Sequence, residues 1–320
     1  MNTPQHKIGS GFGATSTARE VLRDTDLTGR LAVVTGGYSG LGLETTRALA
    51  EAGARVVVPA RRPDAAGEAL SGIDGVEVDA LDLADQESVR GFAERFLRSD
   101  RSIDILIDNA GVMACPETRV GPGWEAQFAT NHLGHYALVN RVWRALARDG
   151  GARVVSVSSA GHRNSPIRWD DIHFTDGYDK WKAYGQAKTA NALFAVHLDA
   201  LGKDAGVRAF SLHPGGILTP LQRHLPKEEM VRLGWIDERG NQINTSFKTP
   251  EQGAATQIWA ATSPLLAGRG GVYCEDCDIA EPAGEAGGGV RDYATDPQQA
   301  ARLWTLSAEL TGVDAFADAA

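Results

Sequence analysis

Cysteine is scarce in this chain, with three among 320 residues, and so low a count fits a reducing compartment. Cys274 and Cys277 form a C-x-x-C pair, which invites a zinc or redox reading. Zinc needs two more ligands, and no second cysteine pair exists. A redox role needs a thiolate at a helix N-terminus, whereas Cys274 reads as strand and the intervening Glu275-Asp276 disfavours a thiolate. Long hydrophobic runs are missing too. No stretch of about 18 apolar residues occurs, which excludes a bilayer-spanning helix. The start Met1-Asn2-Thr3-Pro4-Gln5-His6-Lys7 lacks the apolar core of a signal peptide, so a cytoplasmic protein is expected. Positive charge is in deficit: 32 Lys and Arg stand against 41 Asp and Glu, a net −9, which makes nucleic acid and anionic membranes poor partners. Internal repeats are absent, and from residue 31 onward no linker interrupts the chain.

What is present is alternation. Leu31-Ala32-Val33-Val34 reads as a buried strand, and Thr35-Gly36-Gly37-Tyr38-Ser39-Gly40-Leu41-Gly42 as a glycine turn. Leu43–Ala52 reads as a helix stopped by Gly53, and Arg55–Ala60 as a second buried strand. Strands three to six are read at 76–78, 103–107, 154–158 and 207–212. This predicts an α/β fold, a single doubly wound parallel sheet with helices on both faces. Residues 1–27 read as an extension packed outside the core. In it Gly9-Ser10-Gly11-Phe12-Gly13 is a flexible stretch, and Ser16 caps a short helix at 17–22. The domain proper spans 28–320, with a segment of mixed polarity at about 220–248. Gly284 to Gly289 reads as a surface turn.

The strand–glycine turn–helix order suits a dinucleotide pyrophosphate. Glycines admit the backbone, and the helix N-terminus offers free N–H groups and a positive dipole end. At the end of the second strand, where an acidic side chain would hold the ribose hydroxyls of NAD, stands Ala60, followed by Arg61 and Arg62. Guanidinium groups there suit a 2′-phosphate, so NADP(H) is favoured and NAD(H) remains possible. Further along, Tyr184 and Lys188 are four residues apart and share one helix face. An ammonium beside the phenol lowers its pKa from about 10, and together with an oxidised nicotinamide it is expected to bring it to about 7, a differential stabilisation of roughly 4 kcal/mol.

Taken together these motifs resemble the short-chain dehydrogenase/reductase family. The resemblance runs from about Thr28 to the end of the chain. It includes the glycine motif, Asp82-Leu83, Asn109-Ala110-Gly111, Asn131, Ser159, the Tyr184/Lys188 pair and His213-Pro214-Gly215-xxx-Thr219. Ala60-Arg61-Arg62-Pro63, Ala129–His135, Gly270–Tyr273 and Ala301–Ser307 are most similar to the retinol-dehydrogenase branch and the WW-domain oxidoreductases. One departure is Asp108, where the family usually has asparagine at a position that steadies the sheet.

The resemblance implies hydride transfer between NADP(H) and a carbonyl or alcohol, as in a carbonyl reductase or alcohol dehydrogenase. Tyr184 would be the acid, Lys188 would hold the nicotinamide ribose, and Ser159 would position the carbonyl oxygen, with Ser158 on the strand's other side. Asn131 would support a water chain to Lys188. The cofactor would lie along Gly36, Tyr38, Ser39, Gly40, Leu41 and Gly42, with Asp82 at the adenine and Leu83 beside it. Asn109, Ala110 and Gly111, then Pro214, Gly215, Ile217 and Thr219, would complete its site. The segment 220–248 would cover the substrate. Leu221, Leu225, Met230, Leu233, Trp235 and Trp181 supply apolar surface, and no cation in the matched motifs is free, so a bulky uncharged lipophilic substrate is expected. His132, His135, His162 and His173 read as core or supporting residues, and no metal is expected. His213 reads as structural. The resemblance leaves room for a homo-oligomer. Two alternatives are a dinucleotide-binding sensor or scaffold without turnover, disfavoured by the complete catalytic set, and a protochlorophyllide-reductase-like enzyme.

Overall fold

Leu31–Val34 is buried along its whole length and lies inside the sheet, because its alternate side chains face two separate apolar layers. Ala32 and Val34 pack with Leu49, Ile258 and Trp259 on one side. Leu31 and Val33 pack with Phe92, Tyr136 and Leu198 on the other. The computed structural model describes residues 3–284 and 288–317. Its strands are β1 Leu31–Val34, β2 Arg55–Ala60, β3 Val76–Ala80, β4 Ile105–Asp108, β5 Arg119–Val120, β6 Trp124–Glu125, β7 Arg153–Val157, β8 Arg208–His213, β9 Val272–Glu275 and β10 Asp278–Ile279. The main sheet has the order β10-β9-β8-β7-β4-β1-β2-β3. It is parallel except where β10 folds back on β9. β5 and β6 form a separate hairpin. The fold is the doubly wound α/β sheet that the alternation predicts.

The chain leaves β1 toward β2 on one side and leaves β4 toward β7 on the other. Between β1 and β4 the connections diverge, and a crevice opens at the carboxyl ends of these strands. Fourth-strand pairing starts later than the apolar pattern suggests. Asp104 turns its carboxylate to the Leu31 N–H (2.8 Å) and to Arg30 (2.7 Å), so β4 begins at Ile105.

The N-terminal extension is tied to the sheet edge. Gln5 Nε2 donates to the carbonyls of Tyr273 and Ala280, each at 2.7 Å, and its Oε1 accepts the Tyr273 N–H at 2.9 Å. The glycine stretch expected to be flexible begins under restraint, because the Asp278 carboxylate accepts the N–H groups of Ile8, Gly9 and Ser10. The short helix is Ala18–Leu22, and its cap is Thr17, not Ser16. Thr17 and Glu20 form a reciprocal capping box, while Ser16 Oγ accepts the Gly13 N–H in the preceding turn. Of the glycine turn expected at 284–289, residues 285–287 lie outside the described residues. Cys274 is in β9 as expected. Both thiols of the C-x-x-C pair are buried and free, and burial raises the pKa of each, that of Cys277 to about 11. Among the described residues no helix is long and apolar enough to cross a membrane, and no cluster of side chains could hold a metal ion.

Candidate active site

The glycine loop closes on itself as tightly as its sequence demands. Gly36 has φ +64°, and a Cβ there would stand 3.1 Å from the Ala110 Cβ; a Cβ on Gly42 would stand 2.6 Å from Asn109 Nδ2. Thr35 fastens this loop to the one after β4. Its Oγ accepts the N–H groups of Asn109 and Ala110, both at 3.0 Å, and its carbonyl accepts Asn109 Nδ2 at 2.9 Å. His135 completes the brace. Nδ1 donates to the Asn131 carbonyl (2.9 Å), so Nε2 accepts the Thr35 hydroxyl (2.9 Å). Burial holds this imidazole near pKa 4, neutral as the two bonds require. The helix Gly40–Glu51 starts at the loop, and its cap Ser39 makes no side-chain bond, which leaves the first-turn N–H groups open to the crevice.

Above this loop lies a cleft of about 920 Å³. Gly36, Tyr38, Ser39, Gly40, Leu41 and Gly42 form its floor, and Arg61, Arg62, Asp82 and Leu83 lie where β2 and β3 end. Asn109, Ala110 and Gly111 form one wall; Pro214, Gly215, Ile217 and Thr219 form the other. Ser159, Tyr184 and Lys188 close the far end. The open donors on the floor and the guanidinium groups at one end fit a phosphorylated dinucleotide.

Ser159 is held rigidly. It caps a short 3-10 turn, its Oγ accepting the Gly161 N–H at 3.0 Å. Its carbonyl accepts His162 Nδ1 (2.6 Å) and the buried Tyr273 hydroxyl (3.1 Å), and the next N–H, of Ala160, donates to His213 Nδ1 at 3.0 Å. His162 and His213 are therefore supporting residues, kept neutral by burial at about 4 and about 3. The part played by Tyr273 was not visible in the sequence, because it joins residues 114 positions apart. Ser158 faces the other way and donates to the Lys188 carbonyl at 2.7 Å. The Tyr184 ring lies against Gly161, where a Cβ would come within 2.7 Å of it.

Tyr184 and Lys188 share the inner face of the helix Lys180–Gly202, each 4% exposed. The expected lowering of the phenol pKa by its lysine does not occur in the protein alone. The ammonium is 5.7 Å from the ring centroid and donates to the Val157 carbonyl at 2.8 Å. Burial governs both groups. It raises Tyr184 to about 12 against the pull of the Ser159 hydroxyl, and lowers Lys188 to about 7.

Asn131 does not line the cleft. It sits in a π-helical turn, Ala129–Leu133, and its side chain brackets Val112, accepting that N–H at 2.8 Å and donating to that carbonyl at 2.9 Å. A Cβ on Gly111 would stand 3.0 Å from Asn131 Oδ1 and 3.7 Å from Lys188 Nζ, so Asn131 shapes the wall beside the lysine. His132 is buried beneath, bonded to Ser307 Oγ at 2.8 Å. His173, half-buried, accepts the Glu125 N–H at 3.4 Å.

Residues 220–248 cover the cleft beside Tyr184. Met113, Ala114 and Leu225 pack with the Tyr184 ring, joined by Trp181, Leu221, Met230 and Trp235. Trp235 meets Trp181 edge-on at 6.2 Å and Phe247 at 5.6 Å. Leu233 departs from expectation. It ends the helix Lys227–Arg232 and is 42% exposed, outside this cluster. Glu229 latches the segment to the helix that carries Tyr184 and Lys188. Its carboxylate pairs with Lys180 Nζ at 2.5 Å and accepts Trp181 Nε1 at 3.0 Å. The segment also brings a cation that the motifs omit, Arg223, to the cleft.

A glycine loop at the switch point of a doubly wound sheet, sharing one cleft with a serine, a tyrosine and a lysine, defines a dinucleotide-binding oxidoreductase. Residues 30–230 match the family model described as short chain dehydrogenase. A Streptomyces lividans protein named as a probable oxidoreductase is 47% identical over 295 residues, covering 89% of this chain and 98% of its own. Mouse retinol dehydrogenase 12 is 36% identical over 296 residues, covering 91% and 89%. Among solved structures, an uncharacterized protein from Mycobacterium Paratuberculosis superposes with a TM-score of 0.71 at 32% identity, over 94% of this chain and 98% of the other. The chain belongs to the short-chain dehydrogenase/reductase family and is an NAD(P)-dependent oxidoreductase.

Proposed function

We propose that the protein catalyses reversible hydride transfer between NADP(H) and the carbonyl or alcohol carbon of a bulky, uncharged, lipophilic substrate. One observation carries this reading: a single cleft holds Ser159, Tyr184 and Lys188 at one end and, at the other, arginines with no carboxylate at the end of β2. The bound dinucleotide supplies the hydride. Tyr184 gives its proton to the carbonyl oxygen in reduction and takes it back in oxidation, while the Ser159 hydroxyl holds that oxygen. Burial keeps the phenol protonated and ready to donate. Lys188 would hold the nicotinamide ribose, whose hydroxyl oxygens favour the ammonium over the amine. Arg61 and Arg62 would hold the 2′-phosphate, and the open N–H groups of the glycine loop the pyrophosphate. Asp82 would take the adenine.

The substrate's character follows from what surrounds the phenol. Trp181, Trp235, Met113 and Leu221 line the catalytic end, so affinity rises with apolar area at roughly 25 cal/mol per Å² until the space is full. The relatedness to retinol dehydrogenase 12 supports a lipophilic substrate. The test is a homologous series of neutral ketones and aldehydes with NADPH, set against matched keto acids. The expected result is kcat/KM rising with size in the neutral series and low throughout the acids. A preference for the acids would show that a cation serves the substrate.

A further inference from the structure

The adenosine end of the cleft carries more positive charge than its motifs account for. Arg61 and Arg62 follow β2, and Arg223 arrives from the covering segment, on the 3-10 helix Pro220–His224. That helix has a defined seat. Thr219 and Gln222 cap it reciprocally, and Gln222 Nε2 donates to the Ile217 carbonyl at 2.8 Å. A Cβ on Gly40 would stand 3.3 Å from the Thr219 Cβ, so the helix rises directly from the first turn of the glycine-loop helix. The Arg223 guanidinium donates to the Pro220 carbonyl at 3.0 Å, a bond within its own turn. Among the described residues no ion pair joins Arg61, Arg62 or Arg223 to a carboxylate. Burial and the repulsion of Arg61 and Arg62 lower the pKa of Arg223, and the neighbouring His224 is lowered by burial and by Arg223. Like charges lining one cleft with no carboxylate paired to them repel, and a dianion placed among them offsets that repulsion while accepting their forked donors.

We propose that Arg223 is a third contact to the 2′-phosphate of NADP(H), so that this phosphate fastens the covering segment to the glycine loop before substrate arrives. The proposal rests on the NADP reading of the cleft and extends it: cofactor choice and closure over the substrate become one event. Leu221, two residues before Arg223, lines the substrate end, so a held Arg223 also sets that wall.

The test is binary binding of NADPH and of NADH, without substrate, to the wild-type protein, Arg61→Ala and Arg223→Ala, read by dinucleotide fluorescence. Hydrogen exchange over residues 220–235 is followed in the same complexes. Arg223→Ala is expected to weaken NADPH about 10- to 150-fold, the range of a charge-assisted bond, and to leave NADH within about twofold. In the wild type NADPH slows exchange in the segment more than NADH does, and Arg223→Ala abolishes the difference. If Arg61→Ala discriminates between the cofactors and Arg223→Ala does not, the NADP reading stands and this inference fails. Equal loss of both cofactors in Arg223→Ala assigns the guanidinium to the pyrophosphate and also overturns it. A wild type that prefers NADH, with neither arginine discriminating, overturns the NADP reading itself.

Discussion

Asp108 closes β4 with both carboxyl oxygens buried and unpartnered, and burial raises its pKa well above the ordinary value of 3.8. In the unfolded chain the same group ionises near that ordinary value. Between the two values the unfolded state binds fewer protons, so the contribution of Asp108 to stability is lost as pH rises from about 4 toward the folded pKa. Asparagine does not titrate. Asp108→Asn should therefore gain stability relative to wild type as pH rises, by up to about 1.4 kcal/mol per pH unit in that window. Thermal unfolding of both proteins at acid and neutral pH checks this; a gap independent of pH would mean that the carboxyl is ionised in the fold. The departure from asparagine was visible in the sequence, but its cost was not, because the cost depends on burial between neighbouring strands.

At the scale of elements, the strongest local patterns were legible. Arg55–Ala60 is a strand over the residues read, and the glycine turn meets its helix where expected, although that helix starts at Gly40, inside the motif. The choice of Ser159 over Ser158 rests on the family resemblance; the structure gives the two hydroxyls different partners, the Lys188 carbonyl for Ser158 and the Gly161 N–H for Ser159. What escaped depends on contacts distant in sequence. The π-helical turn at Ala129–Leu133 carries no periodicity signal distinct from an α-helix, and Lys227–Arg232 reads only as mixed polarity. Glu229, in that six-residue helix, is meaningful only beside Lys180 and Trp181, 49 and 48 positions away. Glu229→Gln keeps the shape and removes the charge. A charge-assisted bond contributes about 1.5–3 kcal/mol, so the covering segment should loosen and KM for the carbonyl substrate should rise about tenfold or more, with a smaller change in kcat. Steady-state kinetics at saturating NADPH decide it, and an unchanged KM would show that the latch does not shape the substrate end.

Across the whole molecule, the sheet brings together groups that no local pattern could join. Its switch point sets the glycine loop beside Asn109, and its far edge is strapped by Gln5 and by the bonds from residues 8–10 to Asp278. Tyr273, on β9 of that edge, reaches the Ser159 carbonyl. The β9–β10 edge and Ser159 are thereby parts of one packed unit. The central claim is that this unit places Tyr184 to exchange a proton with a substrate oxygen while a dinucleotide occupies the rest of the cleft. The most direct measurement compares wild type and Tyr184→Phe in NADPH consumption with a neutral aromatic ketone, with NADPH binding followed in parallel by dinucleotide fluorescence. Positioned proton transfer contributes on the order of 10²–10⁴ in rate. The account predicts a fall of that size with NADPH affinity within about twofold of wild type, whereas a variant whose turnover stays within a few-fold would contradict it.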